Sequence, residues 1–250
     1  MINIDIQYNN CDLKNPYNIS EESFSSIKFK ICIDKILSLQ SRKSLINNLK
    51  KEIQKVTSTI EWLIASDVNT DIAFYLSNHE RITTDKSADL DNSIKPLIDS
   101  FSGKNGVLID DSQIKSLNLL WISRDEDIKH DIISIEFTFA NDCFYHKKNL
   151  FFIQSHNAIY SGFNIDPYNI KTLIDAKLIA HARQKMIKSA EKFDPNLGIG
   201  LMPIINIHRS RLNGFDPSTI LTTQQLNKLC LDNGLTYKEL RKFISSHKVS

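Results

Sequence analysis

The sequence predicts a mixed α/β (α+β) core, a sheet with packed helices over residues 27–142, followed by a mainly helical extension over residues 143–250. Three observations predict it. "IKFKICI" (27–33), "DIAFYL" (71–76) and "IISIEFTFA" (132–140) alternate apolar and polar residues, the two-residue period of strands. Between them, apolar residues recur at steps of three and four, the period of helices. After residue 142 the strand-like alternation gives way to helical spacing and capping signals.

Each element follows in chain order. Residues 1–26 are polar and rich in Asn, and are expected to form a loose arm. Ile27, Phe29, Ile31 and Ile33 share one side of a strand. Leu45, Leu49, Ile53, Val56, Ile60 and Leu63 mark one face of a long helix. Ile72, Phe74 and Leu76 give the next strand, and "SNHERITTDKSA" a polar loop. Ile94, Leu97, Ile98 and Phe101 predict a short helix. Pro96 lacks an N–H and is cheap only in a first turn, which places the cap near Asn92 or Ser93. "SGKNG" ends that helix and turns the chain. "VLIDDSQIKSLNLLWI" reads as strand interrupted at its acidic pair. In the extension, Asp166–Pro167 predicts a helix start, with Ile170, Leu173, Ile174, Ala180, Met186 and Ile187 as its buried face. Thr222 with Gln225 and Thr236 with Glu239 are capping-box pairs, each heading a short amphipathic helix.

Composition narrows the function classes. The 250 residues carry a formal net charge of +2, so any nucleic-acid contact must come from a local basic face. No apolar run reaches bilayer length and the N-terminus has no signal-peptide pattern, so a cytoplasmic protein without membrane contact is expected. Cys11, Cys32, Cys143 and Cys230 are widely spaced and form no C-x-x-C, which suits a reducing compartment. Cys143-x-x-His146 with His156 has only fragments of zinc spacing, and no Ser–His–Asp set emerges.

Acidic residues gather in "DLDNSIKPLIDSFSGKNGVLIDDSQIK" (89–115). In an extended segment, Asp89 and Asp91 point to one side. Asp111 opens the strand after the helix and can return to the same edge. Asp110 and Asp111 face opposite ways if extended, so one ligand is expected from that pair. Converging carboxylates need a cation, and hard oxygens suit Mg²⁺ or Mn²⁺. Lys95, one helical turn from Asp91, is placed to offset the cluster or to contact a phosphate. The plain alternative is an Asx-type helix start at Asp89 and Asp91 and a capped turn at Asp110–Asp111.

The stretch resembles the RusA family of Holliday junction resolvases, whose signature is D-x-D-N-x-x-K, a helix, a turn, then D-D-x-Q. Asp89, Asp91, Asn92 and Lys95 match the first block, and Asp110, Asp111 and Gln113 the second. The resemblance implies a RusA-like fold in the core, Asp89, Asp91 and Asp111 as Mg²⁺ or Mn²⁺ ligands, and Lys95 as their catalytic helper. It also implies a homodimer that nicks four-way DNA junctions. Two other readings stand beside it: a nuclease of other structured or foreign DNA, in a phage or defence role, and a non-catalytic DNA-binding module on the same fold. Candidate DNA contacts are Arg81 and Lys86 before the acidic stretch, and Arg183, Lys185, Lys188, Arg209 and Arg211 in the extension, where phosphate neutralisation would supply affinity.

Overall fold

The computed structural model describes residues 2–19, 21–79, 90–125, 127–190, 192, 207–236 and 239, with the side chains of residues 90, 91 and 190 left aside. The chain divides into two compact units, residues 1–144 and 145–250.

The first unit is built on a five-stranded mixed sheet. Its strands are β1 (Asn3–Asn9), β2 (Phe24–Ile33), β4 (Val68–Leu76), β5 (Ile114–Ser123) and β6 (Asp131–Ala140), in the order β1-β2-β6-β4-β5. All neighbours are antiparallel except β4 and β5, which run parallel. A short strand, β3 (Trp62–Ile64), precedes β4. The alternation read in β2, β4 and β6 places Ile27, Phe29, Ile31, Ile72, Phe74, Ile133, Ile135 and Phe137 in the core. The N-terminal residues are not a loose arm. "INIDIQY" also alternates, and Ile2, Ile4, Ile6 and Tyr8 pack on the core as β1 pairs with β2. The following loop is held too: Trp62 Nε1 donates to the Asp12 carbonyl at 2.9 Å, and the Glu61 N–H to that of Leu13 at 2.8 Å.

Helix α1 (Lys43–Thr57) stops before Ile60 and Leu63, which the sequence placed on its face. The reason lies in three consecutive hydroxyls. Thr57, Ser58 and Thr59 donate back to the carbonyls of Ile53, Lys55 and Val56, competing for acceptors that further helical turns would use. Ile60, Trp62, Leu63 and Ile64 are then freed to enter the core, all fully buried. Leu45, expected on the buried face, is 47% exposed.

Helix α2 (Leu90–Phe101) begins earlier than its proline suggested, and Pro96 sits inside it. Without an N–H at residue 96, the Asn92 carbonyl has no helical donor. The Leu39 N–H takes that acceptor at 2.9 Å, so the loop after β2 is tied to α2 through the proline's missing bond. The same loop is held at Ile36, whose N–H donates to Asp131, itself paired with Arg124 at 3.3 Å in a largely buried ion pair. Phe101 seats the far end of α2 on the sheet, with ring centroids 4.8 Å from Phe29 and 5.3 Å from Phe137. Gly103, at φ +91°, then turns the chain as "SGKNG" predicted.

The second unit contains more strand than its mainly helical reading anticipated. After β7 (Phe144–His146), strands β8 (Leu150–His156), β9 (Ile159–Asn164), β10 (Ile207–His208) and β11 (Ile220–Leu221) form a sheet in the order β10-β9-β8-β11. The signal missed was the run "LFFIQSH–NA–IYSGFN", where Asn157 at φ 42° turns one strand into the next. Helices α3 (Ile170–Ala190) and α4 (Thr223–Asp232) bury Leu173, Ala176, Ala180, Leu226 and Cys230 in this unit's own core. Ile170 and Met186, expected inside, are 45% and 56% exposed. Asp166–Pro167 forms a turn ahead of α3, and Asn169 Oδ1 accepts the Lys171 N–H at 3.0 Å as the helix starts. Both capping boxes form, at Thr222–Gln225 and at Thr236–Glu239. The helix expected beyond Thr236, with Leu240, Phe243 and Ile244, lies outside the described residues.

Candidate active site

The second acidic block is a small folded device in which each residue of D-D-x-Q has a separate task. Asp110 caps a 3₁₀ turn over Asp111–Gln113: its carboxylate accepts the Ser112 N–H at 3.1 Å. Gln113 is 5% exposed and uses all four hydrogen-bonding positions of its amide. Its Oε1 accepts the N–H groups of Ile109 and Asp110 at 2.7 and 3.1 Å. Its Nε2 donates to the carbonyls of Ile64 and Ser66 at 2.9 and 2.8 Å. The turn is thereby bolted to the end of β3. Asp111, between cap and anchor, is left with its side chain 37% exposed.

The first block meets it through Lys95. The ammonium of Lys95 forms ion pairs with Asp111 and, at 2.8 Å, with Asp99 one turn further along α2. Asp111 is the larger influence on Lys95, Asp99 the second, and together they raise the lysine above its ordinary value. In return Lys95 holds the Asp111 carboxyl below its ordinary 3.8, so Asp111 is an anion at neutral pH. Asp91 stands four residues before Lys95 in α2, on the same helix face by period. Lys95 and Asp111 thus meet where α2 and the 3₁₀ turn approach each other.

Of the residues the sequence nominated, Lys95 and Asp111 are brought together directly. Asp89, Arg81 and Lys86 lie outside the described residues, and Asp91 is described in its backbone alone. Among the described residues no group of three His, Cys, Asp or Glu side chains could hold a metal ion. That includes Cys143, His146 and His156; the four cysteines are free thiols. Of the three nominated carboxylates only Asp111 is described in its side chain: it is ionised and partly exposed, and it is paired with the Lys95 ammonium.

In the second unit, Arg183 is half-buried over the Phe163 ring, 4.7 Å from its centroid, with Nε and Nη1 buried. Lys185 and Lys188 are exposed on α3, and Arg209 and Arg211 lie on a 3₁₀ turn after β10. Two partners of the candidate site residues escaped the sequence reading. Asp99 was visible as an i, i+4 partner of Lys95, and Gln113 was matched in the motif without a role.

The comparisons with known proteins bear on the same segment. No curated protein matches the chain. Residues 37–132 match the family described as Endodeoxyribonuclease RusA, a span running from the loop after β2 through α1, β3, β4, α2 and β5 to the start of β6. Both halves of the acidic stretch fall inside that span, so the segment that carries the candidate site is similar to the RusA endodeoxyribonuclease family.

Proposed function

We propose that the protein is a divalent-metal-dependent endonuclease that nicks branched DNA, four-way junctions above all, as a homodimer. The observation that carries this reading is the ion pair of Lys95 with Asp111, one helical turn from Asp91, inside the segment of family similarity.

Asp89, Asp91 and Asp111 are the residues that would hold Mg²⁺ or Mn²⁺. Such an ion supplies activation of water and neutralisation of charge on a phosphate. The chain's own part follows from the geometry. Gln113 and Asp110 set the height of Asp111 on its turn. Lys95 keeps Asp111 ionised, and Asp99 gives the ammonium a second anchor when Asp111 has another partner. Lys95 is then available to a scissile phosphate as a compact point charge. A two-fold pair of such sites suits two equivalent strands of a four-way junction.

The test is cleavage of a synthetic four-way junction beside linear duplex, flap and single strand, with and without Mg²⁺, for wild type and Asp91→Asn. Cleavage of the junction in Mg²⁺, lost in Asp91→Asn with junction binding kept, is the expected result. Wild-type rates in Asp91→Asn, or cutting that ignores the metal, would overturn the assignment.

A further inference from the structure

The outer face of α1 is cationic, concave and unused by the acidic site. Asn47, Lys50, Lys51, Gln54 and Lys55 recur at helical spacing and line an open groove of about 510 Å³. Leu49 and Ile53 occupy the opposite, buried face. The groove's other wall carries Asn105, in the turn that follows α2. That wall is firmly placed. The Thr57 hydroxyl shares its proton between the Ile53 and Asn105 carbonyls, at 3.1 and 2.5 Å, and the next residue, Gly106, has no room for a side chain, since a Cβ there would stand 1.9 Å from the Phe101 carbonyl oxygen.

Among the described residues the charges in the groove are uncompensated. Glu52 is the one acid in α1; it is half-buried and does not line the groove. Among the described residues no carboxylate pairs with Lys50, Lys51 or Lys55. Lys55, in the last turn, complements the helix dipole, but Lys50 and Lys51 lie further back and have no such role. Lys51 and Lys55 are one turn apart, about 6 Å along the axis. That is the scale on which neighbouring phosphates follow one another along a strand. The amides of Asn47 and Gln54 add neutral donors between them. An open groove lined by three ammonium groups and, among the described residues, no acid suits an extended polyanion better than an enclosed small molecule.

We propose that this α1 groove, Lys50, Lys51 and Lys55 with Asn47, Gln54 and Asn105, holds the sugar–phosphate backbone of a DNA arm. The inference rests on the nuclease reading and adds to it a surface that positions substrate. Contacts of this kind fix register on DNA without reading its sequence.

The test is fluorescence anisotropy with a labelled four-way junction and a linear duplex, in chelator to prevent cutting, over a series of salt concentrations. The variants are Lys50→Ala/Lys51→Ala/Lys55→Ala and the matching triple change to Arg. All three lysines are exposed and Ala favours helix, so circular dichroism should show an unchanged fold. Three lost phosphate contacts should lower the slope of log affinity against log salt by about 2 to 3, with affinity falling tenfold or more near physiological salt. The Arg variant should keep the wild-type slope. An unchanged slope in the Ala variant, with wild type binding and cutting normally, overturns the groove alone. A slope that falls as expected in a protein that cuts nothing in Mg²⁺ or Mn²⁺ overturns the nuclease reading and leaves the groove standing. Wild type that binds no DNA overturns both.

Discussion

Replacing Gln113 by Ala should loosen the turn that carries Asp111 and cost measurable stability. The side chain is 5% exposed and makes four hydrogen bonds of 2.7 to 3.1 Å, two as acceptor and two as donor. Truncation leaves two N–H groups and two carbonyls without partners in a buried place. At a net cost near 1 kcal/mol per bond, partly recovered where water enters, the loss should be about 2–4 kcal/mol. For a unit of this size that corresponds to a fall in melting temperature of roughly 5–15 °C. The second consequence is functional. Asp111 rides on the turn that Gln113 bolts down, so metal-supported cleavage should fall while DNA binding changes little. Gln113→Glu sharpens the test, because it keeps the shape but turns the donor atom facing the Ile64 and Ser66 carbonyls into an acceptor. It should destabilise at least as much at neutral pH and recover as pH falls, once the buried carboxyl protonates and can donate again. Thermal and urea unfolding, with single-turnover cleavage alongside, read both effects. A melting temperature for Gln113→Ala within about 2 °C of wild type would refute the anchoring role.

Lys95→Ala should slow single-turnover cleavage on the order of a hundredfold with little change in junction affinity, the scale seen when one preorganised charge donor is removed. A rate within about twofold of wild type would return Lys95 to the helix surface. In metal-free protein, Asp111 should titrate below its ordinary value of 3.8, and Lys95→Ala should bring it back up, followed by side-chain carboxyl carbon shifts. Because its folded value is depressed, the Lys95–Asp111 pair contributes stability above the ordinary carboxylate range and loses it as pH falls through the folded value. An Asp111 titration unmoved by Lys95→Ala would show that the pair does not persist in solution. Light scattering at concentrations where the protein cuts junctions should give the mass of a dimer; a strictly monomeric mass would remove the two-fold scheme.

How much could be read from residues alone depended on whether the cause was local. Strands β2, β4 and β6 were legible because a buried pleated face demands alternation, and the meeting of Lys95 with Asp111 was legible because both belong to spaced motifs, D-x-D-N-x-x-K and D-D-x-Q. The same alternation in "INIDIQY" was hidden by polar neighbours, and β1 exists because β2 offers it an edge to pair with. The early stop of α1 was written in three hydroxyls, but it became decisive only because Ile60, Trp62 and Ile64 had a core to enter. Pro96 shows the limit most clearly. By local rules it belongs in a first turn. Inside the folded chain the carbonyl it releases is taken by Leu39, a residue more than fifty positions away, so the penalty that should have moved the helix start is offset by a tertiary bond. The roles of Gln113 and Asp99 are of the same kind. Sequence by itself determined which residues carry charge and which faces must be buried; only the tertiary structure decided which carbonyls lie beside Gln113, and that Lys95 stands between two carboxylates, because hydrogen bonds and ion pairs depend on distances that chain spacing does not set.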